Sequence, residues 1–219
     1  MAQIIPVNPN EADTEIIDFT VKVLERGEMI IYPAETLYGF GVDSENEAAV
    51  KRLYKHKRRE HTKAVPVIVS DIEMVHRYAD DLSDTALRLM DYFWPGPLTL
   101  ILRSKPFVLP LITGSTGTIG MRIPDSRFCQ ALARELGRAV TATSANYSGE
   151  SGNSSIWDIN DRLRKASSLI LHGGRLSGAA PSTVLSVADK TPVLIREGII
   201  MKKTIEDFLG FGITYADKS

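Results

Sequence analysis

Short apolar runs that stop abruptly at polar or charged residues recur along this chain, and they narrow the folds open to it. Met29 to Tyr32, Val65 to Val69, Leu98 to Leu102, Thr118 to Ile123, Ala139 to Thr143, Leu169 to Leu171, Thr183 to Val187 and Val193 to Ile195 are each three to six residues long. That length suits buried strands and is too short for helices. Helical patterns lie between them. Ile16, Ile17, Phe19, Val23 and Leu24 fall at mixed three and four spacings before Gly27, which stops a helix. Ser44 and Glu47 match a capping box for a helix through Ala48, Val50, Leu53 and Tyr54. Ser83 to Phe93 reads as a helix ended by Pro95, and further helices are expected near Phe128 to Leu136 and Thr204 to Leu209. Pro66 argues for an edge or irregular position of the Val65 to Val69 strand. Strands and helices interleave without strict alternation, which predicts an α/β fold with a twisted open sheet of mixed direction.

A chain of 219 residues with 43% apolar content supports one substantial core, so a single domain over 1–219 is expected. The one cysteine, Cys129, excludes an intramolecular disulfide and a cysteine zinc cluster. It sits in an apolar helical pattern and reads as a small buried hydrophobe. No window approaches the roughly 20 apolar residues needed to span a bilayer, and the N-terminus has no basic segment before a long apolar run. A soluble cytoplasmic protein with no membrane contact is expected.

Charge is concentrated. Lys51, Arg52, Lys55, Lys57, Arg58, Arg59 and Lys63 fall within thirteen residues with only Glu60 opposing them, while the chain as a whole nets −1. Such an island is either a solvated helix face with a basic loop or a footprint for a polyanion, whether a nucleotide polyphosphate or a nucleic acid backbone.

Polar groups at strand ends are the main functional clue. Thr36 and Tyr38 follow the strand at Tyr32, Arg122 ends Gly120-Met121-Arg122, Thr143-Ser144-Ala145-Asn146 ends another, Ser182 and Thr183 open a strand, and Arg196 closes one. In open α/β sheets such ends converge on one crevice that binds ligands. The chain has neither a Gly-x-Gly-x-x-Gly dinucleotide loop nor a Gly-x-x-x-x-Gly-Lys-Ser/Thr phosphate loop, so a nucleotide would rest on side-chain cations, with Lys57, Arg59 and Arg196 available. His56, His61, His76 and His172 show no metal-ligand spacing, and His172, ahead of Gly173-Gly174, reads as a turn residue. No Gly-x-Ser-x-Gly elbow is present. These features point to adenylyl or phosphoryl chemistry run by positioning and charge.

Tyr32-Pro33-Ala34-Glu35-Thr36-Leu37-Tyr38-Gly39-Phe40-Gly41, Lys57-Arg58-Arg59, Trp94-Pro95-Gly96-Pro97-Leu98-Thr99, Met121-Arg122-Ile123-Pro124, Thr143-Ser144-Ala145-Asn146-Tyr147-Ser148-Gly149 and Pro181-Ser182-Thr183-Val184 together resemble the YrdC/TsaC family of threonylcarbamoyl-AMP synthases. The likeness runs from Ile4 to Gly198 and leaves 199–219 as a short tail, which suggests the short form of the family. It implies a twisted α/β sheet around a concave basic cavity. It also implies synthesis of L-threonylcarbamoyl-adenylate and pyrophosphate from L-threonine, bicarbonate or CO2, and ATP with Mg2+. A threonylcarbamoyl transferase partner would then carry the group to tRNA. By resemblance, Lys57 and Arg59 hold the ATP phosphates and serve catalysis, with Lys63 nearby. Thr118, Ser144, Asn146 and Arg196 would meet the nucleotide, and Thr36, Arg122 and Ser182 would hold threonine. The family's usual Thr is replaced by Ala34 and its Lys-Pro-Leu by Lys63-Ala64-Val65, which puts the threonine pocket and the following strand in question. Arg58 replaces a small residue.

Two alternatives accompany this reading. One is a YrdC-like module that docks double-stranded RNA or tRNA without catalysis; a net charge of −1 predicts only weak, salt-sensitive RNA binding. The other is the carbamoyl-transfer domain of hydrogenase maturation proteins, whose full architecture needs cysteine-rich zinc fingers that one cysteine cannot supply. Retention of Lys57, Arg59, Ser144 and Asn146 favours the synthase.

Overall fold

The computed structural model describes residues 2–216. In chain order the elements are β1 (Gln3–Pro6), α1 (Thr14–Glu25), β2 (Ile30–Pro33), β3 (Tyr38–Gly41), α2 (Glu47–Lys57), β4 (Val67–Ile68), α3 (Ile72–Tyr78), α4 (Asp84–Phe93), β5 (Leu98–Arg103) and α5 (Pro110–Thr113). They continue with β6 (Thr118–Arg122), α6 (Arg127–Leu136), β7 (Val140–Thr141), β8 (Thr143–Ser144), α7 (Asp161–Ala166), β9 (Leu169–His172), β10 (Thr183–Ser186), β11 (Val193–Arg196), α8 (Lys202–Leu209) and β12 (Thr214–Tyr215).

The mixed α/β class is as expected, but the strands join in two ladders rather than one. A five-stranded sheet has the order β1-β9-β2-β3-β8 and a seven-stranded sheet the order β12-β11-β10-β5-β6-β4-β7, each with parallel and antiparallel pairs. The expected strand from Ala139 to Thr143 divides at Ala142, and its two halves join different sheets. Thr141 holds the crossing. Its backbone N donates to Val42 O at 3.0 Å, its Oγ1 accepts from Val42 N at 3.0 Å, and its carbonyl accepts from Tyr32 Oη at 3.0 Å.

All helices but α5 and α8 start where a short polar side chain accepts an orphan backbone N–H. Asp13, Asp71, Ser83 and Ser126 cap α1, α3, α4 and α6 in this way. For α2 the cap is Asn46, whose Oδ1 accepts from Ala49 N at 3.0 Å. The expected Ser44–Glu47 box therefore does not form, and Ser44 Oγ is buried without a partner. Asn46 lies three residues before the amide it caps, the spacing an N-cap needs, and so displaces Ser44. Pro66 stands just ahead of β4, which is an interior strand between β6 and β7. Of the edge or irregular position expected from Pro66, the edge is overturned and the irregular one holds, because the proline lies outside the two-residue ladder and removes no donor from it. His172 is likewise the last residue of β9 rather than a turn residue.

Apolar burial follows the two sheets. One cluster joins Phe40, Leu53, Val67, Leu100, Met121 and Leu185, and a second joins Leu24, Ile30, Tyr32, Phe128, Cys129 and Leu132 between α1, α6 and the five-stranded sheet. Cys129 is buried as expected, and burial pushes its thiol pKa up to about 11. Among the described residues no helix is long and apolar enough to cross a membrane.

Two glycines let backbone approach backbone or ring. At Gly41 a Cβ would lie 2.8 Å from Ile30 Cγ1 and 3.0 Å from the Tyr32 ring, so β3 can lie flat on β2 only without side chains there. At Gly198 a Cβ would lie 2.1 Å from Pro181 O and 2.6 Å from Ser182 C. Because these are backbone atoms, Gly198→Ala must displace the 181–183 segment. The expected destabilisation is about 1–3 kcal/mol, read as a lowered denaturation midpoint in urea.

Candidate active site

A cavity of about 850 Å³ opens between the two sheets, within the size range of small-molecule and cofactor pockets. Nine of the ten residues singled out from the sequence line it: Thr36, Lys57, Arg59, Thr118, Arg122, Ser144, Asn146, Ser182 and Arg196. Lys63 does not; its Nζ pairs with Glu60 at 3.2 Å on an exposed turn. Four basic side chains and one acidic side chain, Glu150, face the space, which gives the basic character expected of it.

The cationic island does not act as one surface. Lys51 pairs with Glu47 at 2.8 Å, Arg52 donates to Gly27 O, and Arg58 lies over the Tyr147 ring at 4.6 Å. Arg58 ends α2 in the left-handed conformation, with φ 51° and ψ 41°. The chain turns at this residue, so Lys57, the last helical residue, and Arg59 just beyond the turn both reach the cavity. Arg59 is tied down by Nε to Lys63 O at 3.0 Å and Nη2 to Ala64 O at 2.6 Å.

Lys57 is 1% exposed, which excludes a solvated helix face at this position. Its Nζ donates to Asn146 O at 2.7 Å and to Ser144 O, so the amine staples the segment after β8 to the end of α2. Burial, then the charge of Arg59, push its pKa down to about 7, with Glu150 acting in the opposite sense. Asn146 Nδ2 donates to Tyr147 O and Glu150 O, each at 2.7 Å, while its Oδ1 is buried without a partner.

A second group gathers around Ser182. Its Oγ lies 3.0 Å from Thr99 Oγ1, and its carbonyl accepts from Arg196 Nη2 at 2.8 Å. The resemblance assigned Arg196 to the nucleotide and Ser182 to threonine, and here the two sets touch. Arg196 stands at the rim, crowded by protein on one side. That crowding, and then Arg122, lower its pKa, which for a guanidinium leaves the charge in place. Thr118 Oγ1 meets Thr116 Oγ1 at 2.8 Å. Arg122 donates by Nη1 to Glu35 Oε2 at 2.8 Å. Thr183 is fully buried and outside the cavity; its Oγ1 donates to Ile200 O at 2.6 Å and accepts from Gly198 N and Ile200 N, so its role is to hold the 198–200 turn.

Residues 22–198 match the Sua5/YciO/YrdC family, described as "Telomere recombination". This chain belongs to that family. A threonylcarbamoyl-AMP synthase of Bacillus subtilis is 38% identical over 86% of the chain, and the chain spans 55% of that relative's length. The crystal structure of Pyrococcus abyssi Sua5 complexed with L-threonine superposes with a TM-score of 0.91 at 28% identity, over 98% of this chain and 63% of that one. Escherichia coli YciO superposes at 0.85 with 31% identity, over 94% of this chain and all of the other. The family is thus shared by synthases and by YciO.

Sequence reasoning missed Glu150, Glu35, Thr99 and the burial of Lys57. Glu35 lies within the Tyr32 to Gly41 motif, and only the fold shows that it pairs with Arg122.

The lowered Lys57 pKa has a sign that can be measured. Unfolded, the amine keeps its proton to about pH 10.4, whereas the folded chain releases it near 7. Between these values the unfolded state binds more protons, so stability rises with pH, and below 7 the full cost of the buried ammonium is present. Urea unfolding of wild type and Lys57→Met should show wild type gaining relative to the variant from pH 7 to 10. A constant difference would mean that Lys57 keeps its ordinary pKa.

Proposed function

We propose that this chain condenses L-threonine, bicarbonate or CO2, and ATP into L-threonylcarbamoyl-adenylate and pyrophosphate. One observation carries the reading: a single cavity is lined both by Lys57, Arg59, Ser144 and Asn146 and by Thr36, Arg122 and Ser182. The first set suits a polyphosphate and the second an amino-acid carboxylate, which an Arg fork binds in bidentate geometry. Membership of a family that includes named synthases supports it.

In this scheme the neutral threonine amine attacks the carbon of bicarbonate and hydroxide departs as water with the amine proton, leaving an N-carboxylate. An oxygen of that carboxylate attacks the α-phosphorus of ATP, and pyrophosphate leaves. No side chain forms a covalent bond; the protein supplies position and charge. Lys57 and Arg59 would offset the charge that grows on the departing pyrophosphate. A polyanion beside Lys57 would favour its protonated form, so an amine that shares its proton with water near pH 7 would become fully cationic when nucleotide arrives. Among the described residues no cluster of three or more His, Cys, Asp or Glu could hold a metal. Magnesium bound through substrate phosphates needs only one or two carboxylates, and Glu150 is the one that lines the cavity. The adenylate would pass to a transferase that modifies tRNA.

The test incubates purified protein with ATP, magnesium, bicarbonate and labelled threonine and measures pyrophosphate and the threonylcarbamoyl adenylate. Both should appear together and both should vanish without threonine. Arg59→Ala should slow turnover roughly ten- to a thousandfold, the loss typical of a contact to developing negative charge. Pyrophosphate release without threonine, or no product under any condition, would contradict the reading.

A further inference from the structure

Glu35 is a carboxylate in the turn between β2 and β3 to which nothing above gives a role in catalysis or binding. Its Oε2 accepts from Arg122 Nη1 at 2.8 Å, and its Oε1 accepts from the backbone N of Asp125. The two side chains are only 12% and 11% exposed, so the pair is held away from bulk solvent, where such contacts hold geometry firmly. The contact also spans the two ladders, because β2 and β3 belong to the five-stranded sheet and Arg122 ends β6 of the seven-stranded one.

Arg122 faces the 850 Å³ cavity, while Glu35 faces a neighbouring one of about 430 Å³ shared with Pro9, Asp125 and Ser126. The ion pair is therefore a partition between them. A guanidinium has five N–H donors. Among the described residues Glu35 is the only acceptor for Arg122, and neither Nε nor Nη2 is among the buried atoms sealed without a partner. The donors not used by Glu35 are thus left to the large cavity.

We propose that Glu35 is a positioning residue: by taking one edge of the Arg122 guanidinium it sets the roll of the fork so that the remaining edge meets a substrate α-carboxylate. The same carboxylate offsets part of the Arg122 charge. A singly charged carboxylate that matches the fork is then favoured over a phosphate attracted by charge alone. This rests on the amino-acid role assigned to Arg122 above, and it explains why an acid stands beside an anion-binding arginine.

The experiment compares wild type, Glu35→Gln, Glu35→Asp, Arg122→Ala and the Glu35→Gln/Arg122→Ala double variant. The readouts are L-threonine binding by calorimetry, Michaelis constants for threonine and ATP, inhibition by pyrophosphate against threonine, and melting temperature. Glu35→Gln keeps an acceptor for Asp125 N, so the fold should hold. Its threonine constant should rise roughly ten- to hundredfold, the cost of a misplaced binding group, with the ATP constant within about twofold and pyrophosphate a stronger competitor against threonine. Glu35→Asp, which retains the charge, should show a smaller rise, and it provides the test should the glutamine variant not fold. In the Arg122→Ala background the glutamine substitution should add nothing to the threonine constant. An unchanged threonine constant in a folded Glu35→Gln would overturn the proposal. So would parallel rises for threonine and ATP with a fallen melting temperature, which mark a clasp between sheets only. A wild-type protein that neither binds threonine nor forms product would overturn the functional reading, and this inference with it.

Discussion

Two sheets that share one crossing segment can enclose a cavity only if that segment leaves no backbone group unsatisfied, since a buried orphan costs about as much as the bond it lost. Residues 140–144 meet this demand through Thr141, which is fully buried and bonds to Val42 and Tyr32. Next to it, Ala142 N donates to Pro66 O at 2.7 Å, so a proline that cannot donate still accepts where the chain leaves the larger sheet. Ala142, Thr143 and Ser144 then line the cavity directly. The crossing and one wall of the site are the same stretch of chain.

That identity explains the distribution of charge. Carbonyls freed where the chain departs from regular pairing need donors, and Lys57 supplies them to Ser144 and Asn146. A neutral amine can do this at less cost than an ammonium in the same surroundings, which is the physical content of its lowered pKa. At Arg122 the neutralising group is instead Glu35. The two cations thus meet burial by different means, one by a reduced hold on its proton and one by a fixed counter-charge. A nucleotide and an amino acid would meet differently tuned charges within one space.

Much of this was legible in the sequence because polar residues at strand ends mark a crevice whichever way the strands pair. Thr36, Arg122, Ser144, Asn146, Ser182 and Arg196 line the cavity in keeping with that rule, whereas Lys57 and Arg59 were legible through charge and the family resemblance and Thr118 through the resemblance alone. What stayed hidden is equally specific. Strands of two residues, such as β4, β7 and β8, carry too little pattern to show which ladder they join. Gly39 and Gly41 weaken the strand pattern of β3, which was not among the expected strands, although the absence of a Cβ is what lets it pack against Tyr32 and Ile30. A run of lysines and arginines gives no sign that one member is buried, because burial depends on carbonyls some 90 residues away in sequence. Lys63 was grouped with Lys57 and Arg59 by proximity along the chain, but its Glu60 partner holds it on the surface.

We propose that one inter-sheet cavity would receive a nucleotide and an amino acid together, at differently tuned cations. The most direct measurement is a crystal structure with L-threonine and a non-hydrolysable ATP analogue bound at once. The threonine carboxylate should lie within hydrogen-bond distance of Arg122, with the Arg122–Glu35 pair intact, and the phosphates against Lys57 and Arg59. Phosphates held instead by the exposed Lys51, Lys55 or Lys63, or threonine bound away from Arg122, would contradict it.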